Sequence, residues 1–151
     1  MAVNVDISGQ ILEKGRFNYS VNGLECLPGE FFKGNAFEYL AWAKKREKLF
    51  DIIVLDPPSF ARFKGFSFNV QRDLDSLVEA SAAVLASDGF LMVSSNYSAF
   101  RLENFAQKAL NNVKKICGNA QIIWKRSQSA DFVGTGLTKD SSLCAVLIQN
   151  L

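Results

Sequence analysis

Pro57 and Pro58 stand side by side directly after Phe50-Asp51-Ile52-Ile53-Val54-Leu55-Asp56, and Ser59-Phe60 follows them. A short apolar run rich in β-branched residues reads as a strand buried on both faces, the kind found at the centre of a parallel sheet. Each proline fixes φ and lacks an N–H, so the pair neither extends the strand nor opens an ordinary hydrogen-bonded turn. The chain therefore leaves the strand's carboxyl end as a stiff loop, with the Asp56 carboxylate and unpaired backbone carbonyls facing outward. Ligands of open α/β sheets bind in that position. The competing reading is a surface turn that happens to hold two prolines.

The flanking pattern supplies the rest of such a sheet. Residues 2–6 read as a short strand ending on Asp6, and Ser8 can cap a helix that Asn22-Gly23 stops. A strand is expected over residues 30–34 and a helix from Ala36 to about Lys48. Beyond the proline loop, Val70, Leu74, Leu77, Val78 and Leu85 build one helical face. Ser87-Asp88-Gly89 turns into a buried strand, Phe90-Leu91-Met92-Val93. Leu102, Phe105, Ala106, Ala109, Leu110 and Val113 form the next helical face, and residues 120–124 and 143–148 read as two final strands. A polar loop over residues 127–142 joins them. The order βαβαβαβαββ predicts an α/β, Rossmann-like fold: a mostly parallel sheet, helices on both faces and an antiparallel last strand.

With 151 residues and 48% apolar side chains, a single domain over residues 1–151 is expected. No run is long enough to span a membrane and no signal segment opens the chain, so the expected compartment is the cytoplasm, without membrane contact. There is no histidine, and Cys26, Cys117 and Cys144 lack metal-ligand spacing. A metal site, a histidine base and a Ser-His-Asp triad are not expected. The net charge of +2 does not by itself indicate nucleic acid. Its distribution is more informative: Arg62, Lys64 and Arg72 alternate with Phe60, Phe63, Phe66 and Phe68, with no acid between Asp56 and Asp73. Cations for phosphates and aromatic faces for bases hold single-stranded nucleic acid. Equally, the phenylalanines could pack on the sheet while the cations face water.

The motif with its strand, in the longer stretch FDIIVLDPPSFARFKG, resembles motif IV of class I S-adenosylmethionine-dependent methyltransferases, in the branch that methylates ribosomal RNA. The resemblance implies a fold whose last strand inserts antiparallel, S-adenosylmethionine as cofactor and ribosomal RNA as partner. It implies Asp56, Pro57 and Pro58 as catalytic residues, and Ser59, Phe60, Arg62, Lys64 and Asn96 on the substrate side. Asp6, Ile7, Asn35, Ala36 and Asp56 would line the cofactor, with Asp6 at its ribose and Asn35 at its adenine. A cap role for Asp6 is the other reading. Asn35 stands where relatives usually have aspartate, so its acceptor lacks charge assistance.

A nucleotide-binding half normally opens with strand, glycine-rich turn and helix, and the ribose acid comes about 20 residues later. Only five residues precede Asp6. The first strand and glycine loop are thus expected to be missing, which leaves three readings open: a fragment of a longer chain, a domain completed by a second chain, or a rearranged sheet. Gly134-Thr135-Gly136 lies between the wrong elements to replace them. Cytosine-C5 methylation requires a cysteine nucleophile, in relatives a Cys-Ser-Cys stretch; Ser94-Ser95-Asn96 stands there, with Asn96 at the nucleophile's place. N-methylation is the favoured chemistry. A silent RNA-binding or assembly domain and a non-functional fragment are the alternatives.

Overall fold

The computed structural model describes residues 1–63, 65–127 and 143–151. They fall into two compact units, Met1–Arg46 and Glu47–Leu151.

The first unit is β1 (Asn4–Asp6), α1 (Gly9–Val21), β2 (Phe31–Lys33) and α2 (Ala36–Lys45). β1 and β2 run parallel, with Asn4 opposite Phe31 and Asp6 opposite Lys33. The Ser8 hydroxyl caps α1 by accepting from the Ile11 N–H, and Asn22 closes it before Gly23 at φ +66°. Gly15, a poor helix former, lets the sheet come close: a Cβ there would lie 2.7 Å from the Phe31 ring. α2 stops at Lys45, three residues earlier than the sequence suggests. The chain turns through Arg46 to Glu47 at φ +52°, and Lys44 and Lys45 face the helix dipole's negative end.

The second unit has β3 (Phe50–Leu55), β4 (Phe60–Phe63), β5 (Phe66–Asn69), α3 (Val70–Ala82), β6 (Leu85–Ser95), α4 (Leu102–Cys117), β7 (Ala120–Ser127) and β8 (Cys144–Asn150). Four strands form one sheet in the order β3-β6-β8-β7. β3 is parallel to β6, and β8 lies antiparallel between β6 and β7. The expected antiparallel last strand is therefore present, inserted beside the strand that carries Val93.

Strand alternation explains where the core lies. Leu91 and Val93 of β6 sit opposite Ile148 and Val146 of β8, and all four are fully buried. α4 covers β7 and β8 from that side, and α3 packs on α4 and β6. Val70, Leu74, Leu77 and Val78 of α3 are buried, as are Phe105, Ala106, Ala109, Leu110 and Val113 of α4. The two helices thus share one face of the four-stranded sheet. On the other, Phe90, Met92, Leu147 and Gln149 are only half-buried.

Four expectations need correction. β3 is not central within this sheet but forms its edge, and Ile52 and Val54 are 67% and 58% exposed. A β-branched run reports strand preference, whereas burial depends on what packs against each face, which no local pattern states; in this sheet β3 stands at the edge beside β6. Leu85 belongs to β6 rather than to the helical face. Ser87-Asp88-Gly89 is an irregularity inside β6 and not a turn before it. The pairing jumps from Phe50 opposite Leu85 to Ile52 opposite Phe90. Asp88 takes φ +59°, and a Cβ at Gly89 would lie 2.9 Å from the Ala86 carbonyl oxygen. Finally, the Phe-rich segment is a hairpin, with Phe60 opposite Asn69 and Phe63 opposite Phe66. The polar loop over residues 128–142, including Gly134 and Gly136, lies outside the described residues, as does Lys64.

Candidate functional site

In the second unit, the carboxyl ends of the parallel strands β3 and β6 bring the proline loop against residues 94–96. Ser94 is buried at the end of β6, and its hydroxyl donates to Asp56 Oδ1 at 2.7 Å. Ser94 Oγ also lies 3.4 Å from the Leu55 carbonyl oxygen. Ser59 Oγ donates to Asn96 Oδ1 at 3.2 Å. Asp56, Pro58 and Asn96 are exposed, and Pro57 and Ser59 half-buried. The Ser59 carbonyl accepts from the Val70 N–H at 3.1 Å, which fixes the start of the hairpin to the start of α3. The chain leaves β3 through the two prolines with Asp56 exposed, but one oxygen of its carboxylate is turned to Ser94 at β6's end rather than outward.

The hairpin carries the rest. Phe60 is 52% exposed, and the Arg62 guanidinium sits 5.1 Å from its ring centroid. Phe68 is buried, whereas Phe66 is half-buried. The two readings of this segment are therefore divided by strand face: Phe68 is core, and Phe60 with Arg62 is open to solvent. Arg72 is drawn off to structure, donating to Asp73 and to the Ser67 carbonyl.

In the first unit, Asp6 ends β1 and Asn35 stands two residues after β2, and the Gly34 N–H donates to the Asp6 carbonyl at 3.0 Å. Asp6 Oδ1 accepts from the Ser8 N–H at 2.6 Å, which leaves Oδ2 without a hydrogen bond among the described residues. Asn35 is buried, and its Oδ1 caps α2 by accepting from the Phe37 N–H at 2.9 Å. Ile7 and Ala36 are half-buried beside them. Both acceptors are thus partly used by the local turns, and each keeps one oxygen lone pair or carboxylate oxygen to offer. Among the described residues there is no group of acids and cysteines that could hold a metal, and no helix long and apolar enough to cross a membrane.

The cysteines need one more correction. The sequence places none beside these strand ends, yet Cys144 opens β8 directly opposite Ser95. Sequence distance hides this neighbour, because Cys144 stands 49 positions after Ser95. The thiol is only 2% exposed, and burial pushes it up from its ordinary range, partly countered by Arg101. A buried, protonated thiol is inert as a nucleophile. Ser94 was also missed as a site residue, because a serine within an apolar strand gives no signal until its partner strand is known.

No family model matches the chain. Over 115 residues, 74% of its length, it is 34% identical to ribosomal RNA large subunit methyltransferase K of Neisseria meningitidis serogroup B. It is 36% identical over 107 residues to ribosomal RNA large subunit methyltransferase K/L of Psychrobacter arcticus. The chain belongs to the large-subunit ribosomal RNA methyltransferase family. It spans 32% and 13% of the lengths of those two relatives. Its fold matches SMU.776, a methyltransferase-type structure solved with SAH, at TM-score 0.81 and 23% identity, covering 99% of this chain and 39% of that one. It also matches the SAM-dependent methyltransferase from Agrobacterium tumefaciens at TM-score 0.73 and 17% identity, over 97% of this chain and 48% of that one. These likenesses establish a Rossmann-like methyltransferase fold.

Proposed function

We propose that the chain carries the base-facing part of an S-adenosylmethionine-dependent methyltransferase acting on ribosomal RNA in the cytoplasm, and that the transfer is to nitrogen. The observation that carries this reading is Asp56, held at the end of β3 with one carboxylate oxygen bonded to Ser94. The other oxygen is left to accept an N–H of the target base. Transfer from a sulfonium requires an in-line nucleophile and little acid–base help, so holding the base is the main task. The Pro57 carbonyl, which accepts no backbone hydrogen bond among the described residues, is a second acceptor beside it. Phe60 offers a ring on which the base can stack, with Arg62 near enough to meet a phosphate.

Asp6 Oδ2 and the remaining Asn35 lone pair are the acceptors for the ribose and adenine of the cofactor. Its methionine end needs contacts of the kind a glycine-rich turn supplies. The Neisseria relative, of which the chain spans 32%, is the source of such contacts tried in the test. Cytosine-C5 chemistry is disfavoured because Asn96 cannot add covalently to a ring and Cys144 is buried. The test is transfer of a labelled methyl group to ribosomal RNA by the chain, alone and supplemented with the unmatched part of the Neisseria relative. Nucleoside digestion should yield an N-methylated nucleoside. A 5-methylcytidine product, or transfer to protein only, overturns the reading. RNA binding without any transfer in either format favours the silent RNA-binding domain.

A further inference from the structure

Asp56 is exposed, and the two prolines after it have no N–H with which to hold its carboxylate. Its one side-chain partner among the described residues is Ser94 Oγ, at 2.7 Å from Oδ1. The hydroxyl has a single proton and two acceptors in reach. The shorter, charge-assisted bond to the carboxylate takes it in preference to the Leu55 carbonyl at 3.4 Å. Ser94 is only 8% exposed, so bulk water does not compete for that donor. Two residues further on, Asn96 accepts from Ser59 at 3.2 Å. The two bonds bracket the prolines, one before Pro57 and one after Pro58.

We propose that Ser94 is a positioning residue for Asp56, and that the Ser59–Asn96 bond is the second point of a latch fixing the proline loop to the end of β6. Its purpose rests on the methyltransferase reading above. By occupying Oδ1, Ser94 selects Oδ2 as the acceptor presented to the base and restricts the Asp56 side chain to one rotamer. Asn96 then has a task of its own at the place where cytosine-C5 relatives carry a nucleophile: it closes the latch.

The test is side-chain NMR on the full 151-residue chain, without cofactor or RNA, for the wild type, S94A and S94T. Three-bond couplings about Asp56 χ1 should report one rotamer in the wild type and averaging in S94A. S94T keeps the hydroxyl and should restore the single rotamer. Amide shifts away from the ends of β3 and β6 should not move, which separates positioning from misfolding. Should S94A fail to fold, S94C carries the same comparison, since a thiol is a much weaker donor. An Asp56 side chain that stays in one rotamer in S94A, or is already averaged in the wild type, overturns the proposal. In the methyl-transfer assay, S94A should lower kcat by about tenfold, the loss of one aimed hydrogen bond, with KM little changed and S94T near wild type. The NMR arm contains neither substrate, so absence of transfer in every variant counts against the methyltransferase reading and leaves the latch decided by the couplings.

Discussion

Replacing Ile52 and Leu91 by alanine, one at a time, asks how much packing the outward face of β3 carries. Leu91 lies in β6 with no exposed surface, whereas Ile52, on the neighbouring strand, is 67% exposed. Truncating a buried leucine to alanine costs about 2–5 kcal/mol. Ile52 keeps only about a third of its surface covered, so the same scale gives about 1 kcal/mol. The assay is a urea titration followed by Trp124 fluorescence in a Trp42→Phe background, since Trp42 lies in the first unit and Trp124 in the second. With a urea slope of about 2 kcal/mol/M, the midpoint should fall by roughly 0.5 M for Ile52→Ala and by roughly 1–2.5 M for Leu91→Ala. Equal losses would refute the reasoning, because they would mean that the β3 face is packed in solution. Repeating the titration at ten times the protein concentration identifies the cover: a loss that grows with concentration points to pairing of chains along the open edge.

Asp73 should stabilise the junction of hairpin and α3. Its Oδ2 accepts from the Asn69 N–H at 2.8 Å while Asn69 Oδ1 accepts from the Gln71 N–H, so Asp73→Ala should cost about 1 kcal/mol. Hydrogen bonds from Arg72 first, and from the Asn69 N–H second, hold its carboxyl below the usual range. A lowered folded value means that the contribution is complete above the unfolded carboxyl's range and is lost as pH falls through the folded value. The gap between wild type and variant should therefore be constant from about pH 5 to 8 and close in acid; an equal gap at about pH 2 would contradict this. Iodoacetamide should label exposed Cys26 in the native chain and reach Cys117 and Cys144, both pushed up by burial, only in denaturant; native labelling of Cys144, seen by mass spectrometry, would show that the thiol is open. Calorimetry should find weak or no binding of S-adenosylmethionine to the chain alone, because only adenosine-end acceptors are described; micromolar affinity would show that another loop holds the methionine end.

Much of this architecture was legible because local signals and tertiary structure agree. Ser8, Asn22-Gly23 and the apolar faces of α3 and α4 mark elements that the fold keeps. The β4–β5 hairpin also has a local signal: two short phenylalanine-bearing stretches separated only by positions 64 and 65, the second a glycine at φ +81°. What sequence could not supply was neighbourhood. Nothing local distinguishes an edge strand from a central one, so Ile52 and Val54 looked buried. Nothing local brings Ser94 to Asp56 or Cys144 to Ser95, since both meetings depend on strand order. Asp6 and Asn35 fall beside each other as their positions before α1 and α2 imply, although the caps claim part of each.

The central claim is that Asp56 holds the base during transfer. Its most direct measurement is single-turnover methylation of ribosomal RNA fragments by the supplemented chain, comparing wild type, Asp56→Ala and Asn96→Ala, with RNA binding measured in parallel. Losing one properly aimed charged hydrogen bond should slow transfer by a factor on the order of 10²–10³ in Asp56→Ala while largely sparing RNA affinity. Asn96→Ala should be slowed less, because its bond holds the loop and not the base. Near wild-type transfer by Asp56→Ala would remove the proline loop from the mechanism, and a covalent RNA–protein adduct trapped in the wild type would restore a cysteine to it.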